Sequence, residues 1–332
     1  AYKMCYTHIK SRKERCNMLD NFNRQITYLR ISLTDLCNFR CKYCMPDGGV
    51  FKKNRSEILT FEEIYYIAHL FVENGVNKIR LTGGEPLLRP GIENFIESIG
   101  HLNKVKDLAM TTNASLIKDK ALKLKKVGLD RVNISLDTLN PKTFKDLTGG
   151  DLEDVLEGIE ASHEAGLGIK INTVLLKGIN ENEIDDFINL TIDKYIDVRF
   201  IEVMPIGPTA AYAKDKFLSC DEIIERFKLK KIKKDDPSSP ASLYKLEGAK
   251  GRVGFINPIS HKFCQDCNRM RLTSDGKLKA CLHSDKLIDL KTPLRKGEDI
   301  RPLIEEALRI KPLKHKLDQG ESIVESMNRI GG

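Results

Sequence analysis

Three cysteines, Cys37, Cys41 and Cys44, fall close together in the run Cys37-Asn38-Phe39-Arg40-Cys41-Lys42-Tyr43-Cys44-Met45-Pro46. Thiolates are soft ligands that suit iron–sulfur clusters, zinc or copper(I). A four-iron cluster is ordinarily held by four cysteines, so a set of three leaves one iron open to another ligand. A structural zinc ion would need a fourth ligand nearby, and no Cys or His follows until His69. The spacing favours a reactive cluster over a closed metal staple.

A second set lies near the other end of the chain. Cys264-Gln265-Asp266-Cys267 is followed, after thirteen residues, by Cys281. Spacing alone leaves two readings open: another open cluster, or a Cys₃His zinc site completed by His283. Between the ligands runs Asn268-Arg269-Met270-Arg271-Leu272-Thr273. On a strand, Arg269 and Arg271 point to one side, and two guanidiniums form a fork suited to phosphate or carboxylate. The plainer alternative is a solvent-facing stripe, or ion pairs to Asp266 and Asp275. Cys5, Cys16 and Cys220 stand alone and read as ordinary thiols.

These groups need a scaffold. Strands are expected at Tyr28–Leu33, Lys78–Leu81, Asp107–Thr111, Arg131–Ser135, Ile169–Leu175 and Val198–Val203. Helices are expected between them at Phe61–Asn74, Ile92–His101, Ser115–Val127, Leu152–Ala165 and Glu181–Tyr195. Thr60 before Glu63 has the form of a capping box, and Gly75, Gly128 and Gly166 stand where helices should end. Repeated βα units imply a parallel sheet with right-handed crossovers. Six strands are too few for a closed eight-stranded barrel, so the expected fold is an α/β protein with an open (β/α)₆ sheet, a plain doubly wound sheet being the alternative that the pattern leaves open. Beyond Pro205 the alternation stops. Short strands at Gly251–Ile256, Met270–Thr273 and Lys277–Cys281, with a helix at Ile300–Arg309, make a small α+β C-terminal extension. The expected division is an N-terminal extension over 1–22, the parallel sheet over 23–205 and a C-terminal domain over 206–332.

Ligands of parallel α/β sheets bind at the carboxyl ends of the strands. The first strand runs into Cys37. The second is followed by Gly83-Gly84-Glu85-Pro86, where glycines let backbone approach a ligand. Later strands end in Thr111-Thr112-Asn113, Ser135-Leu136-Asp137 and Glu202-Val203-Met204. Their small polar groups suit a ribose and an amino-acid carboxylate, although such residues also cap helices and turns.

The composition bounds the function. The 332 residues are 41% hydrophobic and 31% charged, as in globular proteins. No apolar run is long enough to span a bilayer, and the first residues lack the apolar core of a secretory signal, so a cytoplasmic protein with no membrane partner is expected. The net charge of +8 favours anionic ligands. With no Trp and little mixing of aromatic and basic residues, nucleic acid is not expected as a partner.

The first cysteine run closely resembles the signature of the radical S-adenosylmethionine (SAM) enzymes, whose core fold is a partial TIM barrel. With the second cysteine set, the Cys-Asn-Arg-x-Arg-Leu-Thr run and the terminal Gly-Gly, the chain resembles the GTP 3′,8-cyclase family, from about Asn23 to Gly332. That resemblance implies a lyase that opens molybdenum cofactor biosynthesis with two [4Fe-4S] clusters and SAM. A 5′-deoxyadenosyl radical would take the hydrogen from C3′ of GTP, and the C3′ radical would attack C8. Cys37, Cys41 and Cys44 would hold the SAM cluster, and Cys264, Cys267 and Cys281 the cluster that binds the guanine. Tyr43, Gly84, Ser135 and Met204, with Glu85, Asn113 and Asp137, would contact SAM. Arg30, Arg80, Thr111, Lys170, Arg269, Met270 and Arg271 would bind GTP, and Gly331 and Gly332 would enter the site as a catalytic tail. The implied partners are an electron donor such as flavodoxin or ferredoxin, a downstream cyclic pyranopterin monophosphate synthase and a second copy of the chain in a homodimer. Three positions depart from the family. Asn23 and Ala114 stand where Gly is usual, which matters only if φ is positive there, and His283 stands where relatives often carry an apolar residue. A radical SAM peptide maturase, or an RNA-binding protein carrying zinc and a cluster, are the rival readings.

Overall fold

The structure, a computed structural model, describes residues 18–45, 53–227, 229–315, 317, 323, 325–327 and 329. Gly331, Gly332, Cys5 and Cys16 lie outside the described residues. Six strands run in parallel: β1 (Tyr28–Ser32), β2 (Lys78–Thr82), β3 (Asp107–Thr112), β4 (Arg131–Ser135), β5 (Gly168–Leu175) and β6 (Ile196–Glu202). The helices between them are α1 (Phe61–Glu73), α2 (Ile92–Gly100), α3 (Ala121–Lys126), α4 (Pro141–Thr148), α5 (Leu152–Glu164) and α6 (Ile184–Asp193). This is the open (β/α)₆ partial barrel that the alternation predicts.

Local chemistry accounts for most of the boundaries. Thr60 and Glu63 form the reciprocal capping box at the start of α1. Gly75, Gly128 and Gly166 all have positive φ just beyond α1, α3 and α5. Helix α3 begins later than the pattern suggests. Asn113 Oδ1 accepts from both the backbone and the hydroxyl of Ser115, and this side-chain turn displaces the first helical turn. Helix α4 was not foreseen, although its signals are present: Asn140 caps it by accepting from Thr143 N at 3.0 Å, and Gly149 ends it at φ 71°. Its polar run shows only Phe144 and Leu147 to the core, too sparse a stripe to register as periodic.

After β6 come α7 (Ala210–Asp215), α8 (Cys220–Arg226), β7 (Lys230–Ile232), β8 (Ser242–Lys245), β9 (Val253–Ile256), β10 (Arg269–Leu272), β11 (Lys277–Lys279), β12 (Ile288–Asp289), α9 (Lys291–Arg295) and α10 (Arg301–Arg309). These strands join both edges of the parallel sheet, giving the order β12-β11-β10-β1-β2-β3-β4-β5-β6-β9-β8-β7. β9 pairs in parallel with β6 and β10 with β1, and the outer strands are antiparallel. The segment between β9 and β10 therefore passes from one edge of the sheet to the other.

One face of the sheet is packed by the helices. Ile31, Ile79, Leu81, Met110, Ile134, Ile171, Val198, Phe200 and Phe255 are wholly buried there. Period-two alternation turns their neighbours to the other face, and that face is polar. Arg271, Arg30 and Arg80 are direct partners across β10, β1 and β2. Thr111, Asn133, Lys170 and Asp197 form a row across β3 to β6, and Ser135, Asn172 and Arg199 another. Gly254 is the partner of Arg199, and a Cβ there would lie 3.3 Å from the Arg199 Cγ, so its missing side chain makes room for the guanidinium.

Candidate active site

The first cysteine loop leaves the carboxyl end of β1. Phe39 anchors it in the core, edge-on to Phe144 at 5.8 Å. Backbone bonds from Arg40 to Thr148 O (2.7 Å) and from Lys42 to Leu147 O (3.1 Å) fix its course. Gly83 and Gly84 serve this loop as well as any ligand. A Cβ at Gly84 would come within 2.1 Å of Leu36 O, and one at Gly83 within 2.4 Å of Thr34 O. Gly84 N and Glu85 N donate to Thr34 O and Leu36 O at 2.7 and 2.8 Å. The close approach expected of these glycines is thus first of all to the backbone that leads into Cys37.

Glu85 is a wholly buried brace. Its carboxylate accepts from Thr112 Oγ1 and Asn113 N at 2.8 Å and from Leu87 N at 3.0 Å. Burial outweighs these bonds and pushes the carboxyl up to about 7. Tyr43 donates to Asp137 Oδ2 at 2.6 Å, tying the loop to the end of β4, while Val174 N holds the other oxygen. Burial lifts Asp137 to about 6 despite both bonds. Asn113 Nδ2 reaches Asn38 Oδ1 at 2.9 Å and Cys37 Sγ at 3.9 Å. Ala114, next in the chain, has φ 65°, and Asn23 has φ 59°. At both positions the backbone adopts the conformation that suits the usual glycine.

The second cysteine set lies at the opposite end of the sheet. Cys264 and Cys267 precede β10, which runs parallel to β1, and Cys281 follows the antiparallel β11. The amino ends of β1 and β10 are therefore near the second set, whereas the first lies beyond the carboxyl end of β1. Cys267 N donates to Cys264 O at 3.2 Å. Arg24, held by Asp20 at 2.6 Å, donates to Cys264 O at 2.7 Å and to Pro312 O and Leu313 O. Burial alone would raise the Cys267 thiol, yet Arg269, Lys311 and Arg271 together hold it down to about 6. At the first set, burial pushes the Cys37 and Cys41 thiols up. Burial likewise pushes the Cys264 thiol up, so it is the cations beside Cys267 that set that sulfur apart.

One cavity of about 320 Å³ joins them. All six cysteines line it, together with Tyr43, Gly84, Asn113, Ser135, Asp137 and Met204 from the expected SAM set and Arg30, Arg80, Thr111, Arg269 and Arg271 from the expected GTP set. Glu85 does not line it; its side chain stands behind Thr112 and Asn113. Lys170 does not line it either and lies 3.6 Å from Asp197, pushed down to about 7 by burial and by Arg199 and Arg131. Met270 is wholly buried in the core, since alternation along β10 turns it away from Arg269 and Arg271. Only its backbone can serve a ligand.

Between the two sets the walls carry unsatisfied polar atoms. The Nε of Arg80, Arg199, Arg269 and Arg271, the Nη2 of Arg269, the Thr111 hydroxyl and the Asn172 carbonyl oxygen are buried with no hydrogen-bond partner among the described residues. Buried donors are normally paired, and unpaired cations are more costly still. A concentration of them around one cavity fits a polyanionic ligand. Tyr28, Asn172, Arg199 and His315 also line the cavity and were not singled out from the sequence, and His283, weighed there as a zinc ligand, lines it too. Strand parity alone could have found Tyr28 and Asn172, which alternate in step with Arg30 on β1 and Lys170 on β5.

His283 is engaged elsewhere than a zinc site would demand. Its Nε2 lies 3.2 Å from Met204 Sδ, and its ring lies 4.3 Å from that of His315. Burial and then His315 push it down to about 2, so it is neutral. Among the described residues no three His, Cys, Asp or Glu side chains converge on a single ion. A four-iron cluster spreads its ligand sulfurs over several metal atoms and does not require that convergence. The donor sets, six thiols in threes and outside any disulfide, fit such clusters.

Residues 31–191 match the radical SAM superfamily, and residues 196–317 match the family described as Molybdenum Cofactor Synthesis C. The GTP 3′,8-cyclase of Peptoclostridium acidaminophilum is 51% identical over 95% of this chain and 98% of its own. That of Alkaliphilus metalliredigens (strain QYMF) is 51% identical over 95% of this chain and all of its own length, 100%. Among solved structures, Streptococcus suis SuiB bound to precursor peptide SuiA aligns with a TM-score of 0.57 at 17% identity, covering 87% of this chain and 68% of that one. That last likeness is one of fold alone. With half its residues shared along nearly the entire chain and both cysteine sets in place, the chain belongs to the GTP 3′,8-cyclases, radical SAM lyases of molybdenum cofactor biosynthesis.

Proposed function

We propose that the cavity works as a two-ended holder for GTP 3′,8-cyclization, with one cluster at each end and the nucleotide between them. The observation that carries this reading is the row of buried arginines separating two sets of three thiols along a single cavity. Cys37, Cys41 and Cys44 hold the [4Fe-4S] cluster of the radical SAM reaction, and Cys264, Cys267 and Cys281 hold a second. When bound, the first cluster and SAM supply the 5′-deoxyadenosyl radical that abstracts the C3′ hydrogen of GTP.

The chain's own residues bind, orient and exclude. Asn113, Ser135 and the Gly84 backbone present hydrogen-bonding groups at the carboxyl ends of β2 to β4, where they would hold SAM. Glu85 keeps Asn113 in place, and Asp137 does the same for Tyr43. Arg30, Arg80, Arg199, Arg269 and Arg271 receive the triphosphate by charge-assisted bonds, while the open side of the second cysteine set receives the base. Lys170 joins them from behind the wall once the nucleotide's charge draws it from Asp197. Fixing the base, the phosphates and SAM at separate points holds the ribose in one orientation, the main protein contribution to a reaction whose hard chemistry belongs to the cofactor. Gly331 and Gly332 complete the site as a tail. The reading carries with it an external electron donor such as flavodoxin or ferredoxin, and the reducing cytoplasm in which thiolate ligands persist.

The test is anaerobic turnover with SAM, reductant and GTP deuterated at C3′. Deuterium should appear in 5′-deoxyadenosine. Its absence, with unlabelled 5′-deoxyadenosine still formed, would overturn the assignment of the abstracted atom.

A further inference from the structure

Lys311 lies just beyond the end of α10, a helix that packs on β11 and β12. It is 2% exposed. Its Nζ donates to Arg269 O at 2.8 Å and to Ala280 O at 2.6 Å, and lies 3.7 Å from Cys267 Sγ. An ammonium has three N–H groups, and these contacts use all three. The two carbonyls belong to strand ends that carry thiols: Arg269 follows Cys267 by two residues, and Ala280 directly precedes Cys281.

The charge is harder to account for than the hydrogen bonds. Among the described residues no carboxylate bonds to Lys311, and two carbonyls do not neutralise a buried ammonium. The anionic partner within reach is the Cys267 sulfur, 3.7 Å from the ammonium. Arg269 and Arg271 face the cavity, where a triphosphate would neutralise them. Lys311 does not line the cavity. Its charge therefore stays uncompensated by nucleotide and acts on the sulfur whether or not GTP is bound.

We infer that Lys311 is a positioning residue of the second cysteine set: it pins the two thiol-bearing strand ends together and donates to the Cys267 sulfur, so that the second cluster is retained and is more easily reduced than it would otherwise be. The inference rests on the reading that these thiols hold a cluster. A hydrogen bond and a positive charge at a ligand sulfur both favour the more negative state of the cluster, and both vanish without the ammonium.

The experiment uses the full chain carrying Cys37→Ala, Cys41→Ala and Cys44→Ala, reconstituted anaerobically, so that only the second cluster is present. Its one-electron reduction by dithionite is followed by EPR. Lys311→Met in this background should lower the reduction equilibrium constant at least tenfold, which is about 59 mV for one electron, and Lys311→Arg should restore most of it. Loss of iron in Lys311→Met with retention in Lys311→Arg would equally support the role. A fully loaded Lys311→Met chain with an unchanged potential overturns it, and so does loss of iron from both variants. Should Lys311→Met fail to fold, Lys311→Gln, which keeps an amide donor without the charge, is titrated in its place. Failure of the background chain itself to bind iron with Lys311 intact would instead defeat the reading of the second set as a cluster site.

Discussion

Replacing Arg271 with methionine should make the protein more stable while weakening its hold on GTP. Arg271 is buried beside Arg30, its direct partner on β1, and shares β10 with Arg269. Burial and then Arg269 push it down to about 10. At about 1.4 kcal/mol for each tenfold change in proton affinity, holding this charge in the folded chain costs on the order of 3 kcal/mol. The lowered value means that the penalty is complete at every pH below about 10, including neutrality. Methionine fills a similar volume without charge, and repacking takes back about 1 kcal/mol, leaving a net gain of about 1–2 kcal/mol. For a chain of this size that is a rise of about 1–3 °C in Tm. Removing one partner of a buried charge pair with the triphosphate costs about 2–5 kcal/mol, so GTP should bind at least about 30-fold more weakly. Anaerobic scanning calorimetry and titration calorimetry measure the two effects on the same preparation. A lower Tm without nucleotide would refute the reasoning, because it would make the guanidinium part of the scaffold rather than a group held in reserve for a ligand.

The cysteine sets should separate by function: Cys41→Ser should abolish SAM cleavage, whereas Cys267→Ser should leave it intact and stop GTP conversion, as read by chromatography of 5′-deoxyadenosine and product; parallel loss of both would deny the division. Glu85 and Asp137 are lifted by burial to about 7 and about 6. The folded chain then binds more protons than the unfolded one above about pH 4, and these groups subtract stability as pH rises toward 7. Urea midpoints at pH 5 and 7.5 should accordingly fall less for Glu85→Gln than for the parent, and equal falls would contradict the burial argument. Arg24→Met removes the tie on Cys264 O, so iron after reconstitution should drop from about eight toward about four per chain; full iron content would show that the tie is dispensable.

The thiols and the alternating strands were legible because their signals are local. Three cysteines in one short run need no fold to be noticed, and strand parity placed Arg269 and Arg271 on one side of β10. What escaped depends on register between distant segments. Arg24 meets Cys264 across 240 positions, and nothing around either residue announces the other. Lys311 stands in Lys311-Pro312-Leu313-Lys314-His315, a stretch without a motif or periodicity, yet its ammonium is buried between β10 and β11. Glu85 reads as a ligand group because it follows two glycines after a strand, but its carboxylate is turned inward to brace the next strand end. In the second half of the sheet, β7, β8 and β12 are too short for alternation to show. Met270 shows the limit of assigning a ligand contact by position: its side chain faces the core.

The order of strands across the sheet has a consequence for how the enzyme is made. β1 precedes the other strands of the sheet, but its β10 neighbour emerges about 240 residues later, and β9 follows β6 by about 55. For most of translation the nascent sheet has two naked borders, each able to recruit a foreign strand. Closure comes late and through contacts distant in sequence, which makes it slow. The metal-loading machinery of the cell consequently meets a first thiol loop that is ready long before the chamber around it can shut, and chaperoning during that interval should govern the yield of active enzyme.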